Sequence, residues 1–244
     1  QQGGVSVNDE IVHGIPSAKH LIKEGDIVSL DAGVIYKGYH SDAARTHAVG
    51  EVRPDLQKLI DVTRESFFEG IKFAKEGNHL YDISRAIGDY AESFGYGVVR
   101  ELCGHGIGTS LHESPEIPNF QMRRRGPKLK AGMTLAIEPM VNLGTERIRW
   151  MSDNWTVVTA DRKESAHYEN TILITKDEPK IEIYNRTEEQ KMDRWETGML
   201  AKSLVGHDKD KVYVIVGLDE QFTYLADGER KTLQSPKKKK KKHK

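Results

Sequence analysis

Cysteine is nearly absent from this chain, which has one, Cys103, among 244 residues. A single thiol excludes an internal disulfide framework and a structural zinc site built from several thiolates. No apolar run approaches the roughly 20 residues that a membrane-spanning helix needs, and no signal peptide opens the chain. These absences predict a cytoplasmic protein without a membrane partner.

An overall excess of charge is also missing, since 37 Lys and Arg balance 37 Asp and Glu. The balance does not hold locally. Residues 192–244 carry 13 basic and 8 acidic residues, a surplus of +5, which leaves −5 for the remainder. Such asymmetry predicts two domains with different partners, and 244 residues suffice for a large domain and a small one.

Two predicted strands near the start each carry a carboxylate among apolar residues. Residues 27–36 read as a buried strand with Asp31 inside it, and a turn at residues 37–38 leads to a second strand that carries Asp42. Taken singly, either carboxylate serves equally well in a turn or a cap. Inside an apolar strand, however, an ionised carboxylate needs a partner or a metal. We expect Asp31 and Asp42 to meet across this hairpin.

Helical periodicity appears in two segments after the hairpin. Residues 54–75 begin with Pro54, which suits a first helical turn, and residues 82–94 begin with Asp82 as the expected N-cap. Apolar residues recur on one face of each segment. We predict that both helices cover a sheet and take no part in the chemistry.

The stretch 103–108, Cys-Gly-His-Gly-Ile-Gly, is too rich in glycine for an ordinary helix. It carries His105, and His112 follows seven residues later. The glycines are expected to let the backbone pass close to bound ions. Two further carboxylates border apolar strands downstream: Glu138, which precedes a proline, and Glu169, which begins a β-branched run.

Four carboxylates and one imidazole in one core would be intolerable without cations. Two dications would balance four negative charges, and together they could share and activate one water. Such a donor set suits manganese, iron, cobalt or zinc in a catalytic pair, and it leaves His112 free to act as an electrophile or proton donor. The predicted ligands are Asp31, Asp42, His105, Glu138 and Glu169.

Two other motifs have plainer interpretations when they are taken from the residues alone. His13 lies at a turn, where a lone histidine is most often a surface residue. The three consecutive arginines at 123–125 favour a solvated loop over an anion site.

Together these motifs closely resemble the type I methionine aminopeptidases. The residues that carry the resemblance are 8–16, Asp31 and Asp42, 103–108, 112–115, 137–140 and 168–171. The resemblance covers about residues 5–180, and the short separation of His112 from Glu138 favours type I over type II. It implies the α+β pita-bread fold, a dinuclear metal site and removal of the initiator Met from nascent polypeptides.

The same resemblance implies a role for each site residue. The five predicted ligands hold the two metals, with Asp42 and Glu169 bridging them, and Glu138 also acts in catalysis. His13 and His112 contact the substrate and stabilise the tetrahedral intermediate. Trp155 matches a residue that lines the Met pocket.

The family has a longer segment before the point at which this chain begins. The chain opens at Gln1 without an initiator Met, so we expect an N-terminally truncated form of the enzyme. Its metal site is expected to be complete, whereas its Met pocket is expected to lack part of the wall.

The C-terminal part is predicted to contain a linker at 184–194, a β-rich module at 195–236 and a disordered lysine tail at 237–244, which leaves 1–183 for the catalytic domain. Residues 198–236 resemble the KOW-type, SH3-like β-barrel modules of ribosomal proteins, and residues 206–214 are the piece that matches. This resemblance implies contact with the ribosome through its RNA, which the lysines would strengthen. The expected RNA contacts are Lys209, Lys211, Lys237, Lys238, Lys239 and Lys240.

Two alternatives stay open at this point. A prolidase-like peptidase would share the fold and the ligand set. A non-catalytic binding protein on the same fold would have no need of five ligands and two site histidines. We expect a monomer in each case.

Overall fold

The structure is a computed structural model that describes residues 3–18, 20–182, 200–202, 212–219, 222–226 and 237–240. The chain divides into two compact units, Gln1–Tyr184 and Asn185–Lys244. The first unit ends one residue beyond the predicted catalytic domain, 1–183. Within the described ranges, neither helix is long and apolar enough to cross a membrane.

The first unit combines two helices with short antiparallel sheets. The sheets have the strand orders β1-β3-β4, β10-β11-β2, β12-β9-β5 and β14-β13-β8-β6-β7. In chain order the elements are β1 (Gly3–Val7), β2 (Glu10–Val12), β3 (Ile27–Tyr36), β4 (Tyr39–Ala48), α1 (Pro54–Ile71), α2 (Leu80–Glu92), β5 (Gly97–Val98), β6 (Gly104–Gly106), β7 (Glu113–Ile117), β8 (Thr134–Ile137), β9 (Met140–Asn142), β10 (Ile148–Trp150), β11 (Val157–Thr159), β12 (Ser165–His167), β13 (Asn170–Leu173) and β14 (Lys180–Ile181).

Strands β3 and β4 form the predicted hairpin and pair along their whole length. Their register places Asp31 opposite Ala44 and Gly33 opposite Asp42. Directly opposite residues share a face of the sheet, and so do residues two apart in one strand. The two aspartates are therefore diagonal neighbours on one face, and their predicted meeting across the hairpin is confirmed.

The prediction that β3 is a buried strand is wrong beyond its first three residues. Leu30, Val34 and Tyr36 are 45%, 48% and 72% exposed. Because side chains alternate along a strand, these three residues lie on the face opposite to Asp31. A continuous apolar run is typical of a strand covered on both faces, but beyond its first three residues β3 leaves apolar side chains in solvent, including Ile35 on the Asp31 face, which is 64% exposed.

Helices α1 and α2 cover the sheets, as their periodicity predicts. Phe67 of α1 and Ile83 and Ile87 of α2 are fully buried in one apolar cluster with Ile137 of β8. Burying each such side chain contributes about 1.5–3 kcal/mol. This cluster therefore holds β8, and the Glu138 that follows it, in a fixed place beneath the helices.

The prediction that Asp82 is the N-cap of α2 is wrong. The cap is His79, and Asp82 lies three residues inside, where its carboxylate accepts a hydrogen bond of 3.1 Å from the His79 backbone N–H. The same carboxylate accepts hydrogen bonds from the Arg125 guanidinium at 2.6 and 3.3 Å. The Asp closes the helix start from within, as the second half of a capping box. Arg125 is thereby tied to the helix and is not simply solvated.

The second unit is described in four strands that pair antiparallel in chain order. They are β15 (Leu200–Lys202), β16 (Val212–Leu218), β17 (Phe222–Ala226) and β18 (Lys237–Lys240). The predicted SH3-like barrel is not shown, since the pairings among these described strands leave β15 and β18 as edges. Lys209 and Lys211 lie outside the described residues.

The predicted disorder of the lysine tail is wrong for its first four residues. Lys237–Lys240 pair with β17 from Leu225 to Phe222. The Lys238 ammonium lies 3.9 Å from the ring centroid of Phe222 and 5.6 Å from that of Tyr224. An exposed β17 edge supplies backbone partners, and the aromatic faces attract the cation. Residues 241–244 lie outside the described ranges.

Candidate metal centre

A cavity of about 150 Å³ in the first unit gathers the predicted site residues. All five predicted metal ligands line it, together with the two predicted substrate histidines, His13 and His112. Its remaining wall consists of Val12, Leu102, Cys103 and Met140. Trp155 does not line this cavity, but its ring stacks on the His13 ring at a centroid distance of 4.8 Å.

Donor atoms in this cavity are close enough to share cations. Asp42, His105 and Glu169 each offer one ligand atom within 4.8 Å of the others. Glu138, His167 and Glu169 form a second such group. The two groups share Glu169, which is 2% exposed.

Burial and mutual repulsion raise the pKa of three carboxyls in the cavity. Burial is the main reason that the pKa of Asp31 is raised to about 6; His167 opposes the rise, and the charges of Asp42 and Glu138 add to it. Burial followed by the charge of Glu138 also raises the pKa of Asp42. The same two causes, in the same order, raise the pKa of Glu169 well above its ordinary value. Such a cluster favours protonation or bound cations.

The glycines around His105 have a steric role that differs from the predicted one. A Cβ on Gly104 would collide with the carbonyl oxygen of Ala136 in β8, and a Cβ on Gly106 would collide with that of Ser114 in β7. Glycine therefore lets β6 fit between β7 and β8, and the predicted close approach of this backbone to bound ions stays a prediction. Within β6, only His105 projects a side chain, and this side chain reaches the cavity.

His105 is oriented for metal binding through one ring nitrogen. Its Nδ1 lies 2.9 Å from the carbonyl oxygen of Gly106 and donates to it, since a carbonyl only accepts. This tautomer leaves the Nε2 lone pair free, which is the usual arrangement of a metal-binding histidine. Nε2 lies 3.7 Å from Glu138 Oε1. The ring of His112 is 4.3 Å from that of His105, so both imidazoles face the same space.

Backbone and side-chain hydrogen bonds join the Asp42 strand to the Glu169 segment. Ala44 and Glu169 exchange N–H···O bonds of 3.3 and 2.9 Å. The Asp42 N–H donates to Thr171 Oγ1 at 2.8 Å, and that hydroxyl donates to the Asp42 carbonyl at 3.1 Å. The two proposed bridging ligands are therefore held at a fixed separation.

Arg45 is a residue of the site that the sequence did not reveal. Its guanidinium donates to the carbonyl oxygens of Glu169 and Ala44 and to Asn170 Oδ1, and it lies 4.1 Å from the ring centroid of Tyr168. It thus clamps the backbone at Glu169 from outside the cavity. Nothing in the apolar pattern of β4 marked it, because Arg45 faces away from the two aspartates.

His167 is the second residue that the sequence reading missed. It is 2% exposed, and its Nε2 lies 3.3 Å from Glu138 Oε2. The alternation rule would have found it, because residues two apart in an extended segment share a face and His167 stands two residues before Glu169.

Several buried polar atoms in this region have no hydrogen-bond partner: Glu169 Oε1, His167 Nε2 and His13 Nδ1. Buried polar atoms are normally paired, and an unpaired group costs about 1–3 kcal/mol. Carboxylate oxygens and imidazole nitrogens that converge in this way fit divalent cations of the first transition row. The residues present therefore fit the predicted metal pair.

Residues 3–176 match the family model described as metallopeptidase family M24. The chain belongs to metallopeptidase family M24. Methionine aminopeptidase of Clostridium acetobutylicum is 55% identical over 176 residues, which are 72% of this chain and 70% of that protein. Methionine aminopeptidase 1 of Bacillus subtilis is 52% identical over 171 residues, 70% of this chain and 68% of that protein.

Solved structures place this M24 chain in the same fold. A methionine aminopeptidase from Thermotoga maritima matches with a TM-score of 0.72 and 47% identity, over 73% of this chain and 72% of that one. A prolidase from Pyrococcus furiosus matches with a TM-score of 0.59 and 25% identity, over 73% of this chain and 48% of that one. The predicted pita-bread fold of the first unit is confirmed, and so is the predicted enzyme class: a metallo-exopeptidase hydrolase of the methionine aminopeptidase kind.

Proposed function

We propose that this chain removes the N-terminal Met from nascent polypeptides by hydrolysis, with two divalent metal ions held by Asp31, Asp42, His105, Glu138 and Glu169. The observation that carries the proposal is the convergence of these five donors in one cavity, where burial and mutual repulsion raise the pKa of three of the carboxyls. The names of the M24 relatives, methionine aminopeptidases at 52–55% identity, support the choice of substrate.

Two ligands are suited to bridge the ions. Glu169 belongs to both groups of converging donors, and Asp42 is fixed to the Glu169 segment through Thr171. Bound manganese, iron, cobalt or zinc would polarise the scissile carbonyl and lower the pKa of the attacking water. The chain's own carboxylates would hold both ions and cancel their charge.

Glu138 takes the proton of the attacking water in this proposal and later passes it to the leaving amine. Its carboxylate follows β8 at the cavity wall and is partly accessible, which suits a group that must reach water. A general base must lie within hydrogen-bond reach of the proton that it removes. Glu138 lines the same cavity as the other four proposed ligands, which places it next to the space that the attacking water would occupy.

His13 and His112 contact the substrate. Both line the cavity, and neither belongs to the two groups of converging donors. Burial lowers the pKa of His13, so its ring is kept neutral and its N–H can donate to a peptide oxygen. Trp155 holds that ring by stacking, with an interplanar angle of 24°. His112 is exposed at the mouth of the cavity, where it can reach the tetrahedral intermediate.

The test is hydrolysis of the tripeptide Met-Ala-Ser by the full chain after metal removal and after addition of Mn²⁺. We expect no cleavage in the metal-free protein, restored cleavage with Mn²⁺, and no restoration in Asp31→Asn. Full cleavage by the metal-free protein would refute the proposal. Absence of cleavage with every divalent metal would favour a non-catalytic binding protein.

A prolidase-like activity is the second candidate, because the Pyrococcus furiosus prolidase shares the fold. The lower identity of that structure, 25% against 47% for the Thermotoga maritima methionine aminopeptidase, makes it the weaker one. Parallel assays with an X-Pro dipeptide and Met-Ala-Ser separate the two activities. Preferential cleavage of the dipeptide would reverse the assignment.

We further propose that the C-terminal part contacts ribosomal RNA through Lys237, Lys238, Lys239 and Lys240, with Lys209 and Lys211 as additional contacts. Strand β18 supports this proposal, because its four residues are all lysines and it is an edge strand among the described strands of the second unit. Each neutralised phosphate steepens the salt dependence of binding.

Exchanging Lys237–Lys242 for glutamine should weaken binding to a labelled rRNA fragment. It should also reduce the slope of the logarithm of the association constant against the logarithm of the salt concentration. A variant with Lys176 and Lys180 of the first unit exchanged for glutamine serves as the control. An unchanged salt slope in the tail variant would leave these lysines without a role in RNA binding.

A further inference from the structure

The Glu138 carboxylate lies between two histidines, one at each oxygen. Oε1 is 3.7 Å from Nε2 of His105, the proposed metal ligand. Oε2 is 3.3 Å from Nε2 of His167, which no proposed metal contact uses. The two sides of this carboxylate therefore face different partners, and only one of these partners has a role so far.

The His167 ring is fixed by its surroundings. The side chain is 1% exposed, and the residue pairs with Met140 where β12 runs beside β9. On its other side the backbone is held by Thr46 of β4, whose Oγ1 accepts from the His167 N–H at 2.8 Å and donates to its carbonyl at 3.0 Å. A ring held in this way has little freedom to turn away from Glu138.

Nε2 of His167 is buried and has no hydrogen-bond partner, although Glu138 Oε2 lies 3.3 Å away, so the two groups are close enough for a hydrogen bond but not aligned for one. A buried N–H without an acceptor is unfavourable by about 1–3 kcal/mol. A slight rotation of the carboxylate would remove that penalty, and hydrogen bonds at catalytic sites commonly tighten when the site is loaded.

We propose that His167 is a positioning residue that donates an Nε2–H hydrogen bond to Glu138 Oε2. The bond fixes Oε2 beside His167 and leaves Oε1 turned toward His105, where a bound metal ion would be held. It thereby restricts rotation of the Glu138 carboxylate and keeps it available as the base. This inference rests on the proposed metal-dependent function, because the orientation of Glu138 matters only if Glu138 is a ligand and base.

Residues that orient metal ligands through hydrogen bonds typically change metal affinity or activity by about 10–100-fold when they are replaced. His167→Leu removes the hydrogen-bond donor and replaces the imidazole by an apolar side chain of similar size. We expect its Mn²⁺ dissociation constant, measured by calorimetry on metal-free protein, to rise by about 10–100-fold. With saturating Mn²⁺, kcat for Met-Ala-Ser should fall while KM stays close to that of the wild type, because His167 acts through Glu138 and does not contact the substrate.

His167→Gln supplies an amide N–H in place of the imidazole donor. It should recover most of the Mn²⁺ affinity and most of kcat. His47→Leu, at an exposed position of β4, is the matched control for loss of a histidine and should match the wild type. Melting temperatures of all metal-free proteins show whether folding is preserved.

Three results would overturn the proposal. Wild-type Mn²⁺ affinity and kcat in His167→Leu would leave the hydrogen bond without effect. Equal losses of affinity in the Gln and Leu variants would make the imidazole itself a metal ligand. Lower melting temperatures with unchanged Mn²⁺ affinity would make the role purely structural. Failure of the proposed function gives a different result, since the wild type would then cleave no Met-peptide whatever the variants bind.

Discussion

The two units of this chain concentrate charge of opposite sign in opposite surroundings. In the first unit, Asp42 and Glu169 are 7% and 2% exposed and converge with other carboxylates on one cavity. In the second unit, lysines follow one another along β18 at a sheet edge, where Lys238 is exposed. Water screens like charges at a surface and does so far less in an interior. The buried cluster therefore needs cations, whereas the lysine strand needs only solvent.

The largest effect is expected in the buried cluster, where the free energy of unfolding of the metal-free protein should depend on pH. Asp31 has a folded pKa of about 6, against an ordinary value of 3.8. Between these values the folded carboxyl binds a proton that the unfolded chain has lost, so stability falls as pH rises from about 4 to about 6. Each pKa unit corresponds to about 1.4 kcal/mol, and Asp31 therefore contributes up to about 3 kcal/mol of this loss.

Urea unfolding at pH 4.5 and pH 7.5 measures the effect. Asp31→Asn should reduce the pH dependence of the metal-free protein and raise its stability at the higher pH. The same exchange should remove the stabilisation that Mn²⁺ gives to the wild type, because a ligand that binds only the native state stabilises it. A metal-free wild type that grows more stable across this range would contradict the repulsion argument.

A smaller effect is expected outside the cavity wall, at the guanidinium that clamps Glu169. Arg45→Lys keeps the positive charge but loses the fork that reaches the Glu169 carbonyl and Asn170 together. Hydrogen bonds of charged groups contribute about 1.5–3 kcal/mol, and we expect a loss of stability of about that size. Denaturant titration measures it, with Arg64→Lys on the exposed face of α1 as the control. Equal losses in both variants would show that the clamp has no special role.

The smallest effect is expected in the second unit. Lys238→Gln removes one cation from the faces of Phe222 and Tyr224, and exposed contacts of this kind contribute about 0.5–1 kcal/mol. Hydrogen exchange of the β17 amides measures the change, and Lys176→Gln in the first unit provides the control. A loss of protection equivalent to about 1.5–3 kcal/mol, the stability loss expected for Arg45→Lys, would remove the contrast between buried and surface charge.

The sequence predicted the fold best where periodicity and chemistry agreed. Alternation and turn residues predicted the β3–β4 hairpin, helical spacing predicted α1, and a carboxylate inside an apolar run singled out Asp31. It failed where a neighbour elsewhere in the chain decided the outcome. The N-cap of α2 is His79, because Arg125 and the backbone of His79 engage Asp82 inside the helix. The exposed apolar face of β3 likewise has no local signature.

Residue types and their positions along the chain were sufficient, by themselves, to identify the five candidate ligands and the resemblance to the type I methionine aminopeptidases, since a buried carboxylate needs compensation wherever it lies. Only the tertiary structure showed that Glu138 has His105 on one side and His167 on the other, and that Arg45 clamps Glu169 from outside. It also showed why Gly104 and Gly106 flank His105, which is to fit one strand between two others. Contacts between segments far apart in sequence depend on how strands pair and helices pack, and no local pattern encodes those distances.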